Sequence, residues 1–235
     1  MAGLLSDLRR LFDSLHDTDT FRTQYSSNIY LDHGTSAKGV RLVHLEPARN
    51  VSEPPQCNLS IASLDDAPRY EALSYVWGNS NVRKPIRLQG EAFQVTFNLE
   101  AALRRLRLPD RARVIWIDAL CINQNHVEER NHQVSQMGYI YRTASIVVVW
   151  LGEQSIDSNM AFEALEAMSS DEKLHWDWSL QPILDAKYLE RRHIEAVGRL
   201  LEREWWRRVW TVQEKALAKE VVFVCRLKEF SGERL

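Results

Sequence analysis

The sequence predicts an α/β fold, a mostly parallel β-sheet with helices on both faces. Strand-like and helix-like segments alternate along the chain, the order that builds parallel sheets. "VIWI" (Val114 to Ile117), "SIVVVWLG" (Ser145 to Gly152) and "VVFVC" (Val221 to Cys225) are continuous apolar runs rich in β-branched residues. Strands of that kind are covered on both faces. No internal repeat or low-complexity tract interrupts the pattern.

Taken in order, Leu4, Leu8, Leu11, Phe12 and Leu15 recur at helical spacing with charged residues between them. They predict an N-terminal amphipathic helix. Asp17 to Gly39 is polar and turn-rich, so residues 1–39 read as a helix and arm before a domain over 40–235. "VRLVHLEP" (Val40 to Pro47) is a strand, and "RNVSEPPQCN" a loop broken by Pro54 and Pro55. "YEALSYVWG" (Tyr70 to Gly78) is a second strand stopped by its glycine. "PIRLQGEAFQVT" is an early hairpin turning at Gln89 and Gly90.

Asn98 is placed to cap a helix whose inward stripe is Leu99, Ala102, Leu103 and Leu106. After Val114–Ile117, Asn125 and Glu128 have capping-box spacing. The helix they open turns Val134, Met137, Ile140 and Tyr141 inward. Asp157 or Ser158 starts a helix carrying Ala161, Leu165 and Met168. "HWDWSLQP" is an irregular insert, and Tyr188 to Leu217 is mostly helical with a break near Glu204. The ten residues after Cys225 are too short for both a further strand and a further helix. Either the early strand and hairpin complete the sheet, or the chain is a truncated form of a longer protein.

The bulk composition narrows function by exclusion. The chain has 235 residues, 45% hydrophobic and 26% charged, with net charge −2, ordinary values for a globular protein. Nothing in that balance points to nucleic acid or an anionic membrane. No apolar stretch approaches a membrane span, and no signal peptide begins the chain. The three cysteines are far apart, which fits a reduced, cytoplasmic protein. No GxGxxG, P-loop, HExxH or GxSxG occurs. Cys121, His126 and His132 lack metal-ligand spacing, and nothing fixes a thiol–imidazole pair, so no metal or cofactor is expected.

In open parallel sheets, ligands bind in the crevice beyond the carboxyl ends of the strands. Those ends carry Ser74, Tyr75 and Trp77, then Asp118 and Gln124, then Trp150 and Glu153. A structural network of loop hydrogen bonds would place polar residues there equally well.

Four of these segments carry a resemblance. "YEALSYVWG", "WIDALCINQ" with Glu129, Arg130 and Gln133 downstream, "MGYIYRTASIVVVWLG" and "RVWTVQE" resemble the successive blocks of the fungal heterokaryon incompatibility (HET) domain. The recognisable motifs span 70–218. HET domains trigger cell death when genetically different fungal cells fuse. They are distantly similar to Toll/interleukin-1 receptor (TIR) domains, which implies a flavodoxin-like sheet. Some TIR domains cleave NAD with a helix glutamate that follows a tryptophan by four residues. "WTVQE" reproduces that spacing with Trp210 and Glu214.

The resemblance implies a catalytic role for Glu214, whose carboxylate would stabilise the oxocarbenium-like ribose formed when nicotinamide leaves. The competing reading is an ion pair with Arg207, Arg208 or Lys215. Trp77 and Trp210 are candidates to stack a ring of the substrate. Ser74 and Tyr75 are candidate binding residues at a strand end near the middle of the sheet. Asp118 orients the crevice, binds a ribose hydroxyl or caps the following turn. Arg130 meets a phosphate or pairs with Glu128 or Glu129. Gln124 and Gln133 belong to the family block, with Gln124 holding its loop through backbone hydrogen bonds. Gly138 permits close helix packing, and Trp206 belongs to the core.

Two functional classes follow. One is a cell-death effector that hydrolyses NAD or a related nucleotide, with no bound cofactor. The other is a non-catalytic signalling module working by self-association, or by binding an NLR-type or other incompatibility partner. Assembly and catalysis coupled between subunits is a third.

Overall fold

The computed structural model describes residues 29–30, 38–50, 52–170, 191–226 and 228–232. The amphipathic segment Leu4–Leu15, most of the arm and the "HWDWSLQP" insert lie outside these residues.

Nine strands form one sheet: β1 (Gly39–Leu45), β2 (Gln56–Ser63), β3 (Glu71–Tyr75), β4 (Arg83–Leu88), β5 (Glu91–Thr96), β6 (Arg113–Trp116), β7 (Val147–Trp150), β8 (Val221–Cys225) and β9 (Lys228–Ser231). Their spatial order is β5-β4-β2-β1-β6-β3-β7-β8-β9. Pairs β6·β3, β3·β7, β7·β8 and β2·β4 are parallel. Pairs β1·β2, β1·β6, β4·β5 and β8·β9 are antiparallel. The sheet is therefore mixed, and the expectation of a mostly parallel sheet holds only for its centre. Every residue of β7 is buried, as a continuous apolar run requires.

Within that centre, the parallel strands stand in the order β6-β3-β7-β8. The chain winds from β3 to β6 on one side, then crosses back over β3 to lay down β7 and β8. The winding direction thus changes beside β3. That is where the loops leaving neighbouring carboxyl ends part and leave room for a crevice.

Six helices accompany the sheet among the described residues: α1 (Phe97–Leu106), α2 (Asp118–Cys121), α3 (Val127–Thr143), α4 (Ser158–Ser170), α5 (Arg191–Leu201) and α6 (Trp210–Ala216). A 3-10 turn over Glu204–Arg207 separates α5 from α6. In α1, Leu99, Ala102, Leu103 and Leu106 are all buried, as the periodicity requires. Its cap is Thr96, however, whose Oγ1 accepts from the Leu99 N–H at 3.4 Å. Asn98 is released for another task.

The start of α3 is also displaced by one residue from the predicted box. His126 is its cap, with Nδ1 accepting from the Glu129 N–H at 3.1 Å. Two strands go beyond the sequence reading. Gln56–Ser63, whose first three residues the sequence places in a loop and whose remainder it leaves unassigned, pairs with the whole of β1. Lys228–Ser231 folds back on β8, so the residues after Cys225 supply an edge strand.

Candidate functional site

The carboxyl end of β3 and the start of α6 meet at this change in winding. Ser74, the penultimate residue of β3, is fully buried. Its Oγ accepts from the Trp205 Nε1–H at 2.7 Å and donates to Glu214 Oε2. Arg208 approaches from the other side, with its Nη2 3.6 Å from Glu214 Oε1 and its Nη1 donating to the Tyr75 carbonyl at 2.6 Å. Ser74 and Glu214, 140 positions apart, are thereby joined in one buried cluster.

The local backbone explains which arginine takes part. A continuous helix would have set Arg207 one turn before Trp210 and Glu214. Instead Arg207 ends the 3-10 turn and Arg208 is extended, with φ −78° and ψ 132°. Arg207 is exposed, and Arg208 turns inward to the carboxylate.

Glu214 is only 2% exposed. Burial pushes its carboxyl above the ordinary carboxylate value, opposed by the Arg208 charge and the Ser74 hydrogen bond and reinforced by nearby Asp118. An ionisable group so enclosed, with one cation at 3.6 Å, is costly to keep for packing alone. Such groups concentrate at functional sites.

Beside this cluster, a cleft of about 260 Å³ opens beyond β3 and β7. Gly78, Asn98, Trp150, Gly152, Arg203 and Trp205 are among its walls. Asn98 closes its base, donating from Nδ2 to the Val76 carbonyl at 2.5 Å and accepting from Trp150 Nε1 at 2.9 Å. Gly78 and Gly152 take positive φ of 75° and 98° and pass close over Asn98. Trp205, whose indole bonds to Ser74, lines this cleft, and Glu214 does not. Arg203 ties the loop after β7 in place by donating to the Leu151 and Glu153 carbonyls and to Ser158 Oγ.

A second cluster forms after β6. Trp77 Nε1 donates to Asp118 Oδ2 at 2.8 Å, and the Ala119 N–H donates to Asp118 Oδ1 at 2.7 Å. Gln124 Nε2 donates to the Asp118 carbonyl at 3.0 Å, so this loop is held through its backbone. Gln133 is buried in α3 and donates to the Gly39 carbonyl at 2.8 Å, fastening α3 to the start of β1. Arg41, buried in β1, completes the clamp with ion pairing to Glu129 at 2.6 Å and a bond to the Cys121 carbonyl at 3.0 Å.

The remaining candidates occupy varied positions. Tyr75 is buried and takes part through its carbonyl. Arg130 lies in the first turn of α3, half-buried, and Gly138 lies half-buried within the same helix. Trp210 is the half-buried first residue of α6. Trp206 stacks on Phe223 at 5.2 Å, which is core packing. The sequence offers Arg208 as one of three ion-pair partners for Glu214 and Asn98 only as a helix cap, and it does not single out Trp205. Trp205 lies in a run of aromatic and charged residues where core packing is the ordinary reading, and its Ser74 partner is 131 positions away.

Other chemistries find little support. Cys121 is buried, and burial pushes its thiol up to about 12, far from a reactive thiolate. Among the described residues, no three His, Cys, Asp or Glu side chains stand together as metal ligands. No helix among them is long and apolar enough to cross a membrane.

Comparison with known proteins adds a family to this geometry. Residues 70–214 match the family described as Heterokaryon incompatibility protein (HET), over more than half of the chain. The chain is also similar to "Heterokaryon incompatibility protein 6, OR allele" of Neurospora crassa, 33% identical over 232 residues. That match covers 82% of this chain and 34% of the Neurospora protein, so the chain spans about a third of its relative's length. No solved structure matches it significantly. The matched span runs from Tyr70, before β3, to Glu214 itself, and on this basis the chain belongs to the heterokaryon incompatibility (HET) family.

Proposed function

We propose that this chain is the effector domain of a fungal allorecognition system, and that it causes cell death by hydrolysing NAD or a related nucleotide. The observation that carries the catalytic part is the Ser74–Glu214 pair, which sets a buried carboxylate at the change in strand winding. The order β6-β3-β7-β8 supports a flavodoxin-like, TIR-like reading of the central sheet, since it is the first part of the flavodoxin-like order 2-1-3-4-5.

In this reaction the bond from ribose C1′ to the pyridinium nitrogen breaks. Its electron pair neutralises the ring, so nicotinamide leaves without a general acid. Positive charge develops on the ribose, where the Glu214 carboxylate stabilises it. Water then adds at C1′ and releases a proton to solvent. The hydrolase reading requires the ribose to reach this carboxylate from the cleft that Trp205 walls.

One observation favours a second reading. Glu214 is 2% exposed, with Ser74 on one oxygen and Arg208 near the other, and it does not line the cleft. Such a group is also suited to pin α6 to the sheet in a signalling module that works by self-association or partner binding.

Expression in a fungal host separates the two. Death with falling cellular NAD, both absent in a folded Glu214→Gln variant, is the outcome expected of the hydrolase. Death with constant NAD, unchanged by the variant, would replace it with the signalling module.

A further inference from the structure

Serine hydroxyls carry one proton and two lone pairs, whereas an indole N–H only donates. At Ser74 this settles the direction of a whole chain of bonds. Trp205 Nε1 lies 2.7 Å from Ser74 Oγ and must donate to it, so one lone pair is occupied. The Ser74 proton is then available to Glu214 Oε2, its other polar partner. All three side chains are at most 2% exposed, so water does not compete for these positions.

We infer that Trp205 is a positioning residue for Glu214, acting through Ser74 to fix and strengthen the hydrogen bond that the carboxylate receives. The inference rests on the hydrolase reading for its catalytic meaning, but the chain of bonds stands on the geometry alone. Donation by the indole polarises the hydroxyl and makes it a better donor to an anion. It also stops the hydroxyl from rotating away.

Other groups facing Glu214 do not duplicate this work. Arg208 lies 3.6 Å from the opposite oxygen and is also occupied by the Tyr75 carbonyl. Asp118 acts on Glu214 as a like charge, while the Tyr141 hydroxyl, itself near both carboxylates, donates to the Leu73 carbonyl at 3.2 Å. Because Trp205 also lines the cleft, the residue that orients the carboxylate is one that borders the candidate substrate site.

The test follows the side-chain carboxyl carbon of Glu214 by NMR across pH in the full chain, Ser74→Ala and Trp205→Phe. Glu214→Gln assigns the signal, and nicotinamide release from NAD is measured beside it. The expected result is a midpoint displaced to higher pH in Ser74→Ala and, by a smaller step, in Trp205→Phe. The acid limb of hydrolysis moves with it. Activity below that limb falls about tenfold per pH unit of displacement and recovers at higher pH, which a general loss of packing would not do.

An unmoved midpoint in folded Trp205→Phe overturns the inference. A wild-type chain that releases no nicotinamide removes the hydrolase reading instead, while the NMR midpoint still decides the positioning role. Should Trp205→Phe fail to fold, the indole resonance of Trp205 in the wild type provides the answer. It shifts as Glu214 titrates if the chain of bonds exists, and stays still if it does not.

Discussion

At Glu214, burial works against the charge that Arg208 and Ser74 favour, and burial is the larger influence. A carboxyl whose native pKa is raised holds its proton more tightly when folded than when unfolded. The stability this lends is present below the unfolded value and disappears as pH rises through the native one. Glu214→Gln keeps the shape and an acceptor for Ser74 while remaining neutral at every pH. Its stability relative to the wild type, measured by urea unfolding, is therefore expected to improve as pH rises from the unfolded carboxyl value through the higher native one. Improvement in the opposite direction would show that Arg208 outweighs desolvation. Glu214 and Ser74 were legible as single candidates because strand ends and a tryptophan–glutamate spacing are local. Arg208 was legible only as one of three possible ion-pair partners and Trp205 not at all, since the 3-10 turn that sets them both interrupts the helix expected over this stretch.

Among the elements, the central strands declared themselves through continuous apolar runs, whereas β2 and β9 did not. In β2, exposed Gln56 and Asn58 alternate with buried Cys57 and Leu59, so only half its residues look like sheet, and Pro54–Pro55 directly precede it. The four-residue β9 has a single buried residue, Phe230. Helix starts were misplaced by one or two residues because Thr96 and Asn98 are both good caps, as are sequence neighbours of His126. The reassigned roles make distinct predictions. Thr96→Ala, losing an N-cap, is expected to cost about 1 kcal/mol by chemical denaturation without changing the Trp150 indole environment. Asn98→Ala leaves the Trp150 N–H and Val76 carbonyl without partners, so it is expected to cost roughly 1–3 kcal/mol and to shift the Trp150 indole resonance. Equal effects at the two positions would contradict this division of labour.

Across the molecule, β1, β2, β4 and β5, antiparallel except at the β2·β4 pair, extend one side of the parallel centre, and β9 edges the other. Composition and periodicity identified the α/β class but gave no sign of this order, which depends on pairings between strands far apart in sequence. Arg41 shows how such pairings hold the site's surroundings, since β1 reaches through it to Glu129 and the Cys121 carbonyl. Arg41→Met would leave Glu129 largely buried without its cation. A loss of roughly 3–5 kcal/mol in unfolding free energy is expected, with little change if the pair is dispensable.

The most direct test of the central claim is nicotinamide release from NAD by the purified chain, at low and high protein concentration, beside Glu214→Gln of equal thermal stability. The account predicts release by the wild type and none by the variant. Wild-type protein that is folded, assembled at the higher concentration and still unable to release nicotinamide would contradict it.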